Sequence, residues 1–422
     1  MLRLVDSRLK ITIAAAACLV VAACGSGGSG GSSPSPSNTI EVPTATYSPP
    51  ADNEVTPPEA LTLGAIEPDE GIAPVLAFIR TATTSIDISI YRIDSTFTPL
   101  TDALVEMKDK GVTVRISMSR QLVGQPNPPE GNSQQLAEQQ AFQKLGLQAE
   151  LSRPEFHYGH EKAIILDAGT PKARAMIADW NLQASYFEGT DYGPVAARGT
   201  SVIDTDPQDV ATIAAYFNAN WPPYNAYPTS HRASLVWSPS GDIYSPVGNS
   251  VAVLTDFINS AQTSLDIYAE YIQDDAFLLT YALERAQSGV KVRFIANSDG
   301  QDAAMIQRIR DAGAQIVFDP RNVMDPSAVM FVHSKTMIAD LGTPEQKAFV
   351  GSQNTFINES PEAILELGII VKTTDIVKRL GELFTADWAS AASEPAPPPS
   401  SSAAQSSSTQ SSSMSSSSSS AK

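Results

Sequence analysis

The chain has 422 residues, with 28 Lys and Arg against 46 Asp and Glu, a formal net charge of −18 and 42% hydrophobic residues. That apolar content at that length excludes a wholly disordered chain and supports two domains or one large duplicated one. The acidic surplus opposes a polyanionic partner unless a local basic groove overcomes it, and no Lys/Arg cluster of that kind stands in the sequence.

Arg3, Arg8 and Lys10 precede an apolar run over residues 11–23 that is too short for a comfortable membrane span, so residues 1–23 read as an export signal. Its removal takes Asp6 along with the three basic residues and leaves the chain two charges more negative. Val21-Ala22-Ala23-Cys24 resembles a bacterial lipobox, which makes Cys24 a lipidation site. The expected location is therefore the cell envelope, anchored by lipid to a bacterial membrane, the outer one in a Gram-negative cell. Cys18 and Cys24 are the only cysteines, so the folded part holds no disulfide and depends on its core. Residues 24–60 are rich in Gly, Ser and Pro and read as a flexible tether. Residues 393–422, Pro-rich then Ser-rich, read as a disordered tail.

Between these ends the chain repeats itself. An apolar helix pattern over residues 72–82 leads to an alternating strand, Thr84 to Tyr91, then a helix ending at Gly111 and a second strand from Val112. The same order returns over residues 250–261, Thr263 to Glu270, Gly289 and the strand from Val290. Phe217 and Trp221 close the first half, Phe384 and Trp388 the second; such i, i+4 aromatic pairs read as core packing. Helices alternating with β-branched strands predict an α/β fold in two halves, 61–225 and 226–392.

The repeat carries a motif. His160-Glu161-Lys162 followed by Asp167, and His333-Ser334-Lys335 followed by Asp340, are His-x-Lys-x4-Asp written twice, and they use two of the chain's four histidines. A lone His-x-Lys is usually an ordinary polar edge, but the whole order repeated at the same place in each half points to chemistry. The first copy continues to Ala178-Asp179-Trp180-Asn181 and Asp191, the second to Gly351-Ser352-Gln353-Asn354 and Glu366. On a strand, His and Lys two residues apart share a face, whereas Asp167 and Asp340 lie an odd number of steps away and brace the loop after each strand. Asp179 departs from the Ser352 of the second copy by placing a carboxylate close to the expected anion site.

This pattern resembles the phospholipase D superfamily. The resemblance implies two homologous α/β/α layered halves related by a pseudo-twofold axis, with one active site at their seam. It assigns His160 as nucleophile and His333 as general acid/base, flanked by Lys162 and Lys335. Asn181, Asn354 and Ser352 would bind substrate, and Asp191 and Glu366 would orient the imidazoles. The scheme requires no metal and no cofactor; His157, three residues before His160, and His231, between the halves, receive no role. The implied function is a membrane-anchored phosphodiesterase that hydrolyses or transfers a phosphatidyl group through a phosphohistidine. Its partners would be a phospholipid substrate and the membrane, with nucleic acid disfavoured and the chain monomeric. A nuclease on the same scaffold and a catalytically silent surface binding protein are the alternatives.

Overall fold

A computed structural model describes residues 55–156, 158–188, 196–239 and 248–395. The export signal, Cys24, most of the tether, the Ser-rich tail, His157 and Asp191 lie outside the described residues.

The first half runs β1 (Leu61–Glu67), α1 (Ala73–Ile79), β2 (Ser85–Ile90), α2 (Thr98–Asp109), β3 (Thr113–Met118), α3 (Ser133–Lys144), β4 (Gln148–Leu151), β5 (Lys162–Leu166), β6 (Arg174–Ala178), α4 (Ala184–Phe187), β7 (Ala197–Asp204) and α5 (Pro207–Asn220). The second runs β8 (Leu235–Ser238), α6 (Ser250–Asn259), β9 (Ser264–Ala269), α7 (Phe277–Gln287), β10 (Lys291–Ala296), α8 (Ala303–Asp311), β11 (Gln315–Phe318), β12 (Phe331–Val332), β13 (Met337–Ala339), β14 (Lys347–Gly351), α9 (Glu359–Ala363), β15 (Glu366–Val371) and α10 (Thr374–Ser390). The helices α2 and α7 stop where expected, because Gly111 and Gly289 take the left-handed conformation at φ 91° and 95° that a side chain would resist.

The duplication is visible in the sheets. One is ordered β4-β3-β2-β5-β6-β7-β1 and the other β11-β10-β9-β13-β14-β15-β8, strand for matching strand. In each, the first three strands are parallel and the rest antiparallel, so the chain reverses sense at β2/β5 and at β9/β13. Such a reversal leaves a crevice at the strand ends where ligands bind in α/β sheets.

Among the described residues, three large apolar cores hold these layers, beside a small cluster of Tyr91, Leu122, Tyr158 and Ile364. The helices α1 and α2 cover one face of the first sheet around Ile88, Leu104 and Ile116, and α6, α7 and α8 cover the matching face of the second around Ile267, Leu279 and Phe294. The third core is shared: Ile165, Ile177 and Phe217 from the first half pack with Ile338, Val350 and Phe384 from the second. The aromatic pairs sit here, stacked as expected, Phe217 on Trp221 at 5.5 Å and Phe384 on Trp388 at 5.9 Å. Each pair carries a guanidinium, Arg115 at 4.8 Å from Phe217 and Arg293 at 5.0 Å from Phe384. Asp87 and Asp266, matched residues of β2 and β9, hold these arginines through two hydrogen bonds each. The repeat therefore preserves a four-residue packing unit as well as a motif.

The folded part begins earlier than the sequence suggests. Thr56, placed in the tether by composition, is buried: its N–H donates to Ser234 Oγ at 2.8 Å and its hydroxyl to Asp209 at 2.6 Å. Composition cannot report such a contact, because its partners lie in α5 and in the link before β8.

Candidate active site

The two motifs meet at the seam. The backbone N–H of His160 donates across it to the Leu365 carbonyl at 2.8 Å, and that of His333 donates to the Arg198 carbonyl at 3.2 Å. The strand β12, which leads into His333, pairs with β7 of the other half, as the segment around Gly159 bridges to Leu365. Each histidine is thus positioned by an edge belonging to the opposite half.

All four catalytic candidates are buried. Burial, then the charges of Lys162 and Lys335, holds the His160 imidazole well below its ordinary 6.5. His333 is lowered in the same way, with Lys335 acting ahead of Lys162 and then His160 itself, so each motif feels the other's charge. Lys162 is pushed well below 10.5 by burial and by Lys335. Its Nζ donates to the His160 carbonyl at 2.8 Å and lies 5.6 Å from the centre of the Tyr91 ring. Lys335 donates to the His333 carbonyl and, at 2.6 Å, to Glu270 Oε2. Two lysines beside imidazoles that burial keeps from charging make a setting that gains by accepting an anion.

The histidines differ in how they are held. His160 Nδ1 lies 2.6 Å from Glu366 Oε1, and burial that pushes the imidazole down pushes this carboxyl up. Glu366 is itself fixed by Ser360 Oγ at 2.6 Å. The Tyr91 ring meets His160 edge-on at 4.8 Å, and Tyr186 meets His333 at 4.9 Å. Glu270 Oε2 is 3.7 Å from His333 Nε2.

Strand register changes one equivalence. Asp191 lies outside the described residues. With Ala178 of β6 matched to Gly351 of β14, Ser201 matches Gly368, and the position matching Glu366 is Gly199. The carboxylate that departs from the repeat, Asp179, fills the space: a Cβ at Gly199 would come within 2.9 Å of Asp179 Oδ1. Asp179 makes no ion pair among the described residues, although the charge of Lys335 reaches it. It accepts from Thr200 N at 2.7 Å and, across the seam, from Ser334 Oγ at 2.7 Å, and these bonds with Lys335 partly offset the burial that raises its carboxyl.

The asparagines and serine of the expected clamp are placed unevenly. Asn181 is buried, donating to Tyr186 Oη at 2.8 Å and accepting from Arg92 N at 3.2 Å. Asn354 Oδ1 is buried without a hydrogen-bond partner. The Ser352 hydroxyl is tied to the backbone, donating to the Leu367 carbonyl at 3.3 Å and accepting from its N–H at 3.2 Å.

Asp167 and Asp340 point away from the site. Asp167 accepts from the N–H groups of Thr83 and Thr84 at 2.7 and 2.6 Å; Asp340 does the same for Gln262 and Thr263 at 2.8 and 2.6 Å. They brace the turns entering β2 and β9. Burial would raise these carboxyls, but the converging N–H donors outweigh it and leave both below their ordinary value.

Sequence reasoning missed Glu270, Tyr91 and Tyr186 as residues of the site. A signal existed for two of them: Tyr91 and Glu270 are matched residues at the end of the aligned strands, the one place where that alignment pairs an aromatic with an acid. Among the described residues no group of three or more His, Cys, Asp or Glu side chains is arranged to hold a metal ion.

A duplicated α/β fold with paired His-x-Lys segments converging at its seam defines a class of two-histidine proteins. Residues 75–221 and 254–388 match the family described as cardiolipin synthase, PLD-like domain, and the chain belongs to this phospholipase D-like family. Among solved structures the fold is similar to phosphatidylserine synthase from Haemophilus influenzae Rd KW20, with a TM-score of 0.57, 9% identity, and coverage of 80% of this chain and 88% of that one. It is also similar to polyphosphate kinase from Porphyromonas gingivalis, with a TM-score of 0.52, 13% identity and coverage of 78% of this chain. The chain spans 50% of that kinase's length. No curated protein sequence matches the chain.

Proposed function

We propose that this protein is a phosphodiesterase that hydrolyses or transfers a phosphatidyl group through a phosphohistidine on His160. The observation that carries this reading is the pairing of two buried, electrostatically coupled imidazoles that are held differently among the described residues, His160 with Glu366 on its Nδ1 and His333 with Glu270 3.7 Å from its Nε2. His160 Nε2 attacks phosphorus while the bond to the leaving alkoxide breaks and His333 donates the proton that this oxygen needs. The new P–N bond makes the His160 ring cationic, and Glu366 on Nδ1 offsets that charge. Water or an alcohol then attacks phosphorus, its proton passing to His333, and His160 leaves. Lys162, Lys335, Asn181 and Asn354 supply donors to the phosphoryl oxygens, and the bound anion restores the proton affinity that burial takes from Lys162 and His333.

A phospholipid is the favoured substrate because the acidic chain repels a polyanion, while a lipid offers one phosphodiester. Lipidation at Cys24 would hold the enzyme on a membrane surface. No helix among the described residues is long and apolar enough to cross a membrane. The test is purified protein on glycerophospholipid vesicles with a small primary alcohol, alongside plasmid and single-stranded DNA. Headgroup release with alcohol capture, lost in His160→Ala and His333→Ala, supports the reading. Rapid DNA cleavage with intact lipid overturns it in favour of a nuclease.

A further inference from the structure

The carboxylate of Glu270 has no counterpart across the pseudo-twofold axis. At the matching position Tyr91 lays its ring against His160, whereas Glu270 accepts from Lys335 Nζ at 2.6 Å and stands 3.7 Å from His333 Nε2. Its side chain is 13% exposed, so it faces a nearly enclosed space. Next to Tyr91 the first half offers Arg92, whose charge is felt at His160, Tyr91 and Tyr186; next to Glu270 the second half offers Tyr271, 40% exposed. The two halves therefore differ in charge at matched positions: Arg92 stands where the second half has Tyr271, and Glu270 stands where the first has Tyr91.

Glu270 poses a problem for a bare phosphodiester. A phosphate taking the Lys335 ammonium leaves Glu270 beside an anion in a poorly solvated pocket, which is unfavourable unless the substrate brings a donor of its own. On the two-step reading, the group nearest Glu270 would be the one whose oxygen exchanges a proton with His333, the departing or entering alcohol, because Glu270 Oε2 stands 3.7 Å from His333 Nε2.

We propose that Glu270 selects this alcohol, favouring one that carries a second donor, a hydroxyl or an ammonium, a carbon or two from the reacting oxygen. The inference rests on the two-step reading of the site. In the step concerned, the alcohol oxygen bonds to phosphorus as the P–N bond to His160 breaks. The hydroxyl proton moves to His333 Nε2, and Glu270 accepts a hydrogen bond from the alcohol's second polar group.

The experiment uses the full chain with bis(p-nitrophenyl) phosphate as phosphoryl donor and an equimolar mixture of ethanolamine, glycerol and 1-propanol. The readout is the ratio of the resulting p-nitrophenyl diesters, which is independent of the overall rate. The wild type should favour the aminoethyl and glyceryl products over the propyl one, and Glu270→Gln should lose at least about tenfold of the aminoethyl preference, as expected for a hydrogen bond to a charged group. Three results overturn the proposal: p-nitrophenol release with no preference in the wild type, a preference that survives in Glu270→Gln, or a variant that loses rate with an unchanged ratio, which would make Glu270 only a support for Lys335. Failure of the wild type to release p-nitrophenol or to cleave lipid instead sinks the phosphodiesterase reading, and the proposal with it.

Discussion

Glu366 in the second half reaches His160 in the first, Oε1 to Nδ1 at 2.6 Å, while the residue that matches Glu366 across the repeat is Gly199, which has no side chain to offer His333. The acid of the first half sits instead at Asp179, in the space that Gly199 leaves, and supports the backbone around Ser334 and Lys335. The symmetry of the fold is thereby broken beside the two imidazoles, which are held by different groups.

Glu366→Gln should lower kcat by roughly 10–100-fold, the usual effect of removing the group that orients a functional imidazole. The amide keeps the shape and the contact with Ser360, so circular dichroism should be unchanged. A rate within twofold of the wild type would show that His160 needs no acid behind it.

Asp179→Ala leaves Ser334 Oγ and the Thr200 N–H without their buried acceptor, and should destabilise the protein by about 2–4 kcal/mol in urea unfolding. A loss below about 0.5 kcal/mol would mean that water replaces the carboxylate.

Asp340→Ala removes an acceptor shared by the N–H groups of Gln262 and Thr263 from a residue at φ 55°, and should cost about 2–4 kcal/mol. Because the carboxyl is held below its ordinary value, its contribution is present above pH 3.8 and fades as pH falls below that. The surviving folded enzyme should keep its kcat, since Asp340 touches only the turn before β9.

Glu67 is wholly buried, neither carboxyl oxygen has a hydrogen-bond partner, and burial first, then Glu70 and Asp69, raises it to about 9. Folding favours its neutral form, so it lowers stability increasingly as pH rises from 4.5 toward 9. Glu67→Gln should raise Tm at pH 8 by more than at pH 5; an equal or opposite change at the two pH values would contradict this.

If His160 is the nucleophile, the acid limb of kcat/KM should lie below pH 6.5, because burial, then Lys162 and Lys335, holds its imidazole below that value. A limb at 6.5 or above would indicate a solvated histidine.

The sequence made the duplication legible because its strands, helix stops and motifs recur in order, and the His-x-Lys pairs stood out because histidine is scarce. Equivalence failed in the loop after Asn181. Matched positions are 173 residues apart at Asp179 and Ser352 but 167 apart at Gly199 and Glu366, so the first half carries extra residues just where an acidic residue, Asp191, could be mistaken for the counterpart of Glu366. Glu270 was hidden for a different reason. Its importance comes from Lys335, 65 positions away, and no local pattern announces such a meeting.

Arg198 gives its carbonyl to the His333 N–H, while its guanidinium is gripped by Asp387 at 2.7 and 2.8 Å, near the end of α10. The chemistry is thus assembled in reverse of the order in which the chain is made: the first histidine waits for Glu366, and the second rests on a strand anchored by one of the last folded turns. A chain cut short before Asp387 would carry both motifs without a secured seam, so the paired site is complete only once the last helix has docked.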